Sequence, residues 1–320
     1  MGAVKSKKTS SKSRFLVVFL AVFILIGVAS FGIAMVVNHL MSSSDKPTDS
    51  SADIRPEDKT TDEPVEEPTQ DITIQPVDFQ STVDNWAMSA RGDKSVYIYD
   101  LNLDQVVGAY NTESDFQTAS LYKLFVVYEG YKRVVNGDWN AEDAAGATGH
   151  TIAECLDLAI RESNSECAET MHRLIGRDNL EAIIENDWGI KNSNISALVS
   201  NTPDIAAIMK RFYEHPDFNN VAWLDRMWDS FLNQPVTEYD WRMGLPKGFS
   251  RATVYNKVGW DFNPDRKYWN IYNDAAIVKF PMDDGSTRDF VVVVMSNGVD
   301  YKKIRNLGQA LEEKFYEEKI

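Results

Sequence analysis

Two residues of this 320-residue chain, Ser120 and Lys123, have the types and the spacing of a serine nucleophile and its base. They open an apolar helical pattern, SLYKLFVVYEGYKRVV, and residues three apart lie on the same face of a helix. A serine hydroxyl needs a base to take its proton, and a lysine that is buried near a second cation has a lowered pKa and can act as that base. The same spacing recurs at Ser43 and Lys46 in a polar segment, so the pattern alone does not establish a site.

A second motif, Ser163-Asn164-Ser165, interrupts a stretch that is otherwise helical. Ser and Asn are favoured at helix N-caps, so one interpretation is simply the start of a second helix. In a catalytic pocket, a second serine hydroxyl can instead pass a proton to the leaving nitrogen of an amide, which would make Ser163 catalytic. Both interpretations remain open from the residues alone.

A third motif, Lys257-Val258-Gly259-Trp260, lies in a segment with strand-like alternation. A lysine on such a strand usually faces solvent, but a glycine two residues later lets another backbone approach the strand closely. Such a strand can line a cleft in which Lys257 supplies positive charge and the Trp260 N–H faces a substrate carbonyl. By itself this motif is weak; taken with the other two, it makes Lys257 a candidate catalytic residue and Gly259 and Trp260 candidates for binding substrate.

The elements that position these motifs follow from hydrophobic periodicity. Residues 94–101 and 105–111 alternate and are joined by a short polar turn, which predicts a hairpin. The remaining predicted elements are a helix from Ser120 to about residue 136, two helices within 151–175, a helix over 204–214, strands over 271–280 and 290–296, and a helix over 307–320. This order predicts an α/β (α+β) sandwich whose sheet comes from both ends of the chain.

The three motifs, in this order, resemble the motif set of class A β-lactamases and penicillin-binding proteins. The resemblance covers roughly residues 80–320 and extends to the segments around the motifs. These segments are TIAECLDLAIRESNS at 151–165, NTPD at 201–204, LPKG at 245–248 and YNDAAI at 272–277. It implies a β-lactamase/transpeptidase-like fold, in which helices flank an antiparallel sheet.

The resemblance also implies a role for each residue that matches the family's motifs. Ser120 would attack the carbonyl carbon of a strained or D-Ala-type amide, and Lys123 would be its base or proton relay. Ser163 would pass a proton to the leaving nitrogen, and Lys257 would hold the substrate carboxylate and help to keep Lys123 neutral. The backbone N–H groups of Ser120 and Trp260 would form the oxyanion hole.

Three departures from the family's pattern bear on activity. Asn164 and Ser165 stand where the family usually has Asp and Asn, and the shorter Ser165 reaches less far towards a substrate amide. Val258 stands where a threonine hydroxyl is usual, which removes a polar contact to the substrate carboxylate. Residues 188–202 correspond to the loop that carries the deacylating Glu in class A β-lactamases, and they contain no acid.

The residues before position 79 have the pattern of a membrane anchor followed by a tether. Residues 15–37 contain no charge and, at about 1.5 Å per residue, are long enough to cross a bilayer. A cleaved signal peptide is the alternative, although its apolar region would be shorter. Residues 1–14 carry five Lys/Arg and no acid, which predicts a cytoplasmic tail and an extracellular domain at 79–320. Residues 38–78, rich in Ser, Thr, Pro and acids, predict a disordered linker.

Charge and composition limit the expected partners. Residues 1–14 carry +5 and 38–78 carry −8 of a total of −15, so the remainder carries −12, and we expect no nucleic-acid binding. The four His and two Cys show no metal-ligand spacing, so we expect no metal and no cofactor. We expect a monomeric domain attached to the membrane through residues 15–37.

The two cysteines, Cys155 and Cys167, fall on the consecutive helices that flank Ser163. A disulfide is chemically allowed outside the membrane, and helices that meet at a tight break can bring such positions within bonding reach. If it forms, it would pin the loop that carries Ser163. Two buried free thiols are the alternative.

The favoured function is therefore a membrane-anchored, extracytoplasmic serine hydrolase that forms an acyl-enzyme at Ser120 with β-lactams or related amides and deacylates slowly. Two alternatives remain. The first is a D-Ala-D-Ala carboxypeptidase or transpeptidase that acts on peptidoglycan-like peptides. The second is a degenerate surface binding module, for which the departures at Asn164, Ser165 and Val258 would be signs of lost catalysis.

Overall fold

The computed structural model describes residues 75–262 and 270–318. The predicted cytoplasmic tail and membrane span, and nearly all of the predicted linker, lie outside these ranges. Within them, no helix is both long and apolar enough to cross a membrane.

A five-stranded antiparallel sheet forms the centre of the described domain, with strand order β2-β1-β7-β6-β5. The strands are β1 (Asp93–Asp100), β2 (Gln105–Tyr110), β5 (Thr253–Asp261), β6 (Ile271–Pro281) and β7 (Thr287–Asn297). Two short strands, β3 (Phe116–Gln117) and β4 (Val199–Ser200), pair separately. The predicted hairpin is confirmed as β1 and β2, and the sheet does combine strands from both ends of the chain.

Eight α-helices in the described residues cover the sheet. They are α1 (Gln80–Ser89), α2 (Lys123–Val135), α3 (Ile152–Arg161), α4 (Ser165–Ile175), α5 (Arg177–Ala182), α6 (Thr202–Glu214), α7 (Val221–Leu232) and α8 (Tyr301–Glu318). Short 3-10 helices span Ala119–Tyr122 and Leu245–Gly248, and a π-helix spans Ile183–Asp187. The sequence analysis did not predict α1, α5 or α7.

The sheet separates two hydrophobic cores, because successive side chains of a strand point to opposite faces. On β7, Val291 and Val293 pack with helices α2 to α7, in the larger core. Val292 and Val294 pack with α1 and α8, in the smaller core. The result is a three-layer arrangement of helices, sheet and helices, as the sandwich prediction requires.

Local sequence signals explain where the helices near the site begin. Thr151 and Glu154 form a capping box at the start of α3, and Asn164 caps α4 by accepting a hydrogen bond from the backbone N–H of Cys167. Asn201 caps α6 in the same way through the N–H of Asp204. The caps at Thr151 and Asn164 fix where the helices on either side of Ser163 begin.

Candidate active site

Ser120 lies in a strained turn between β3 and α2, and not on a regular α-helix as the sequence predicted. The turn is a 3-10 helix, and the residue before the serine, Ala119, has φ of +44°. A positive φ is unfavourable for a residue with a Cβ and persists only where surrounding contacts enforce it. Here the N–H of Leu121 donates to the carbonyl of Thr118 over 3.0 Å, which tightens the turn.

The buried side chain of Asn273, on β6, holds this turn from the sheet side. Its amide nitrogen donates to the carbonyl oxygens of Gln117, at 2.8 Å, and Thr118, at 3.1 Å. Its amide oxygen accepts from the N–H of Ser296 on β7, at 2.8 Å. On the other side, the N–H of Thr118 donates to Leu198 over 2.8 Å. The backbone before Ser120 is therefore fixed by two separate parts of the fold.

Gly259 allows strand β5 to lie directly against the serine turn. A Cβ built at Gly259 would lie 2.2 Å from the carbonyl oxygen of Thr118 and 3.0 Å from the nitrogen of Leu121. Both distances are below van der Waals contact with backbone atoms, which cannot move away as a flexible side chain can. The close backbone approach that the sequence predicts at Gly259 is therefore confirmed.

Lys123 is fully buried at the start of α2 and points at the second motif. Its amine donates to the Ser163 carbonyl at 2.5 Å, the Ser165 hydroxyl at 3.1 Å and the Ser163 hydroxyl at 3.4 Å. Burial lowers the pKa of Lys123 to about 8, against a smaller opposing effect of the Glu169 carboxylate. A substantial fraction of this amine is therefore neutral near pH 8 and can accept a proton.

Lys257, on β5, reaches the same hydroxyl from the opposite side. Its amine is buried and donates to the Ser163 hydroxyl and to the Val258 carbonyl, both at 2.9 Å. Burial lowers the pKa of Lys257 well below its usual value, and the charge of Lys123 lowers it further, while Asp274 raises it. The Ser163 hydroxyl thus lies between two amines and can relay a proton between them.

The loop that presents Ser163 is held by a disulfide and a cap. The structure joins Cys155, on α3, to Cys167, on α4, with Cα atoms 4.8 Å apart. Ser163 itself has φ of +56°, and the N–H of Asn164 donates to the carbonyl of Leu158 over 3.0 Å. Both interpretations of the second motif therefore apply, because Asn164 caps a helix while the hydroxyls of Ser163 and Ser165 contact the lysines.

The structure brings together most, but not all, of the predicted site. Lys123, Ser163, Ser165 and Lys257 form one hydrogen-bonded group. Ser120 is half-buried and is positioned by its turn, and no described residue makes a hydrogen bond to its Oγ. The Ser120 hydroxyl is thus not tied to a neighbouring side chain of the described domain.

The side chain of Trp260 lies on the other face of the sheet from Lys257. Its ring is 5.3 Å from that of Tyr272 and 5.7 Å from that of Tyr301, both of which belong to the layer that contains α8. Residues three apart on an unbroken strand face opposite sides, and the β5–β6 register is continuous. The indole of Trp260 therefore does not line the cleft beside Lys257, while the predicted role of its backbone N–H remains a prediction.

A buried polar network lies behind Lys257, on that second face. The carboxyl of Asp274 accepts from Asn256, at 2.9 Å, and from the N–H of Leu245, at 2.8 Å. Burial raises the pKa of Asp274 to about 7. Arg242 donates to Asn256 over 3.2 Å and extends the network. Because the carboxylate of Asp274 raises the pKa of Lys257, its titration changes the field at the active-site amine.

The carboxylates of the described residues do not supply an evident deacylation base. None of them makes a hydrogen bond to Ser120, Lys123, Ser163 or Lys257. Glu169, on α4, is the acid whose charge acts on Lys123. The side chain of Glu169 is 39% exposed, and it accepts from the Tyr122 hydroxyl at 2.9 Å and pairs with Arg177 at 2.7 Å.

No cluster of His, Cys, Asp or Glu within residues 75–262 and 270–318 has the arrangement of a metal site. The described site offers hydroxyls and amines from Ser163, Ser165, Lys123 and Lys257. Such a set can acylate a serine, with the buried amines as proton acceptors.

The described domain matches the model of one known protein family. Residues 78–315 match the model of the β-lactamase enzyme family, and this range includes all three motifs. The chain belongs to the β-lactamase enzyme family. A search of curated proteins finds no match.

Solved β-lactamase structures share the fold at low sequence identity. The TLA-1 extended-spectrum β-lactamase is 12% identical, with a TM-score of 0.62 over 74% of this chain and 98% of that one. An ancestral class A β-lactamase is 15% identical, with a TM-score of 0.62 over 73% and 99%. A class A β-lactamase from Bacteroides cellulosilyticus is 14% identical, with a TM-score of 0.60 over 74% and 96%. The described domain therefore has the β-lactamase-like α/β fold, with an antiparallel sheet flanked by helices.

Two site residues of this β-lactamase family member were missed by the motif analysis. Asn273 positions the serine turn, and Asp274 acts on Lys257 from behind the sheet. Their signal in the sequence is a polar pair inside an otherwise apolar strand, IYNDAAIVKF. Buried polar residues in such a strand must find partners, so their presence predicts a structural or functional contact.

Proposed function

We propose that the chain is a serine acyl-enzyme hydrolase in which Ser120 attacks β-lactams or related amides. The observation that carries the proposal is the hydrogen-bonded group of Lys123, Ser163 and Lys257, in which burial lowers the pKa of both amines. Ordinary surface lysines would be protonated near neutral pH and unable to accept a proton. A buried pair of lysines is unfavourable for folding, which supports a role in catalysis.

In the proposed acylation, neutral Lys123 takes the proton of the Ser120 hydroxyl, directly or through Ser163. The Ser120 oxygen bonds to the carbonyl carbon, and the electron pair of the C=O bond moves onto oxygen to form a tetrahedral oxyanion. The C–N bond then breaks as the Ser163 hydroxyl gives a proton to nitrogen and recovers one from Lys123. The product is an ester on Ser120, and with a β-lactam the amine stays attached to the acyl group.

Deacylation needs a base that activates water, and we propose that this step is slow. Residues 188–202 contain no acid, and no described carboxylate bonds to the site. The acid that follows this loop is Asp204. Its carboxylate accepts from the N–H of Asn192 at 2.7 Å and from the Ser193 hydroxyl at 3.1 Å, both of which belong to the loop. A carboxylate held by these bonds is committed to the loop and is poorly placed to activate water.

Intact-mass analysis after a pulse of benzylpenicillin tests the proposal. We expect the native protein to gain the full mass of the β-lactam and to keep it for many minutes, and Ser120→Ala to gain nothing. Ser43→Ala is the matched control, because Ser43 has the same spacing from a lysine but belongs to the predicted linker, outside the described residues, and it should label normally. Equal labelling of Ser120→Ala, or no adduct on the native protein, would reject Ser120 as the nucleophile.

A cell-wall peptidase is the second candidate, and the lack of a deacylation acid favours it. A peptidase can pass its acyl group to water slowly or to an amine. Incubation with an acyl-D-Ala-D-Ala peptide distinguishes the two functions, since a peptidase releases D-Ala while a β-lactamase hydrolyses nitrocefin faster. A surface binding module would do neither, and its binding would survive Ser120→Ala.

We also propose that residues 15–37 anchor the protein in the cell membrane and that the catalytic domain is extracellular. The support is the uncharged run itself and the five Lys/Arg that precede it. Protease treatment of intact cells should remove the domain, and the remaining N-terminal fragment should stay in the membrane pellet. Recovery of a soluble mature protein that begins after residue 37 would instead show a cleaved signal peptide.

A further inference from the structure

A separate cavity of about 480 Å³ lies on the face of the sheet opposite to Lys257, at the end of β5. Its aromatic walls are Tyr239, Trp241, Trp260, Phe262, Tyr272 and Tyr301. None of these side chains takes part in the group that links the two lysines. The cavity shares the residue Trp260 with the candidate active site, but its ring walls lie on the other face of the sheet from the two lysines, and the proposed hydrolase function does not use them.

The rings of this aromatic cavity form a connected set around Trp260. The ring of Trp260 lies 5.6 Å from that of Trp241, edge to face, and 5.7 Å from that of Tyr301, stacked. Tyr239 stacks on Trp241 at 5.0 Å and is 46% exposed. Phe262, at the rim, is 54% exposed. Large exposed rings of this kind are costly to leave in water, and they commonly mark a binding site.

Three acids, Glu238, Asp240 and Asp261, line the same cavity. No described Lys or Arg forms an ion pair with any of them, and no Lys or Arg of the described residues lines the cavity. The guanidinium of the nearby Arg242 donates to the Phe231 carbonyl at 3.0 Å; its charge acts on Asp240, which also accepts from the Arg242 backbone N–H at 3.0 Å. The cavity thus combines negative ring faces with three carboxylates, and its charge is complementary to a cation.

The indole nitrogens of Trp241 and Trp260 are buried, and neither makes a hydrogen bond with a described residue. Because they have almost no accessible surface, a ligand in the cavity meets the faces and edges of these rings and not their N–H groups. A ligand that fits would therefore carry a positive charge for the rings and the acids.

We propose that this cavity binds small organic ammonium ligands, with quaternary ammonium groups favoured over primary amines. A quaternary ammonium is weakly hydrated, so it loses little when it leaves water for the ring faces. A primary ammonium is strongly hydrated and gains less. Inorganic cations are excluded by the same argument, since the walls offer rings in place of a shell of oxygen ligands.

Titration of tryptophan fluorescence with choline tests this, and 3,3-dimethylbutan-1-ol, which has the same shape without the charge, is the matched probe. We expect choline to bind at least about tenfold more tightly than the neutral alcohol, because ring attraction and the three carboxylates act only on the charged ligand. The affinity should fall as salt is added. Equal affinity for the two probes, or no saturable binding of choline, would overturn the proposal.

Variants locate the binding and separate it from catalysis. Trp241→Leu should lose at least about tenfold in choline affinity, since it removes one of the ring faces. Trp223→Leu, which changes a tryptophan of α7 on the other side of the sheet, should not change it. Ser120→Ala should bind choline like the native protein. Loss of binding in both tryptophan variants would show non-specific binding and reject the site.

A cation of the chain itself is the competing occupant. Lys302 lies with its amine 6.0 Å from the centre of the Tyr301 ring, and Arg266 and Lys267 follow Asp261 closely in sequence. The triple variant Lys302→Gln, Arg266→Ser, Lys267→Ser answers this. Choline binding in the native protein that the triple variant leaves within about twofold supports an external ligand. Binding seen only in the triple variant would mean that the cavity is closed by the chain itself, and would overturn the proposal.

Discussion

The amine of Lys257, on strand β5, lies 2.9 Å from the hydroxyl of Ser163, which lies in the loop between helices α3 and α4. The same hydroxyl is 3.4 Å from the amine of Lys123, so two buried cations share one neutral partner. Each positive charge disfavours the other, and burial disfavours both. The pair therefore favours a state in which at least one of the two amines is neutral, and a neutral amine can act as a base.

The rate of acylation is expected to rise with pH through about 8, the pKa to which burial lowers Lys123. Below this value the amine is protonated and cannot accept the serine proton, and above it the neutral base predominates. The test is the rate of labelling by a fluorescent penicillin, measured from neutral to alkaline pH. A rate that falls through this range would contradict Lys123 as the base.

Removing the charge of Glu169 should move this pH profile to lower pH. The carboxylate of Glu169 raises the pKa of Lys123, so Glu169→Gln lowers it and makes the base available under more acidic conditions. Glu166→Gln is the matched control, because Glu166 is an exposed acid on the same helix and does not act on Lys123. The two variants should therefore differ in their pH–rate profiles for acylation. Identical pH–rate profiles would show that the charge of Glu169 does not affect the pKa of Lys123.

The substitution Lys257→Met should stabilise the fold and impair acylation. A buried amine is unfavourable, so an apolar side chain of similar length should raise the free energy of unfolding by about 1–3 kcal/mol at neutral pH. The gain should shrink as pH rises towards the unfolded-state lysine pKa of about 10.4, since native Lys257 then no longer loses protons on folding. Loss of the relay should slow acylation by about 100-fold or more.

Urea unfolding and penicillin labelling measure these two effects on the same samples. Lys191→Met is the control, because Lys191 is exposed and its replacement changes net charge by the same amount. It should leave both quantities nearly unchanged. A Lys257→Met protein that is less stable and labels at the native rate would show that Lys257 is a structural residue.

Gly259→Ala should disrupt the serine turn although it adds a single methyl group. The new carbon would lie 2.2 Å from the Thr118 carbonyl, so strand β5 or the turn must shift. Overpacking of this kind costs about 1–3 kcal/mol in stability, and a displaced Ser120 should label at least about 100-fold more slowly. Crystal structures or NMR chemical shifts of the native protein and the variant would show the displacement near Leu121. Native labelling kinetics in Gly259→Ala would mean that the turn yields easily.

Much of the fold could be predicted because the sequence states it locally. β1 and β2 alternate with β-branched and aromatic residues around a polar turn, and the caps at Thr151 and Asn164 mark where α3 and α4 begin. Helix α1 was missed because its apolar stripe is weak, with only Val83, Trp86 and Ala87 buried. Packing against the second face of the sheet stabilises such a helix, and packing is not visible in a short window of sequence.

The candidate site was predictable as a set of residues but not as a geometry. The motifs identify Lys123 and Lys257, but their shared contact with Ser163 depends on how the layers pack. Strand alternation alone shows that Trp260 and Lys257 face opposite sides of the sheet, so the sequence was sufficient to exclude the Trp260 indole from the cleft beside Lys257. The contact between Asn273 and the carbonyl of Thr118 spans 155 positions in sequence, and no local pattern reports it.

Removal of the disulfide should weaken the fold and loosen the loop that carries Ser163. The bond between Cys155 and Cys167 closes a loop of 12 positions, and the chain-entropy estimate for such a loop is about 3 kcal/mol. The double variant Cys155→Ala, Cys167→Ala should therefore lose about that much stability to urea and acylate more slowly, because Ser163 is no longer held between the lysines. A reducing agent should reproduce both effects in the native protein and change nothing in the double variant. If the double variant labels at the native rate while its stability falls, the bond stabilises the fold without positioning Ser163, and the cap at Asn164 alone is sufficient for the loop.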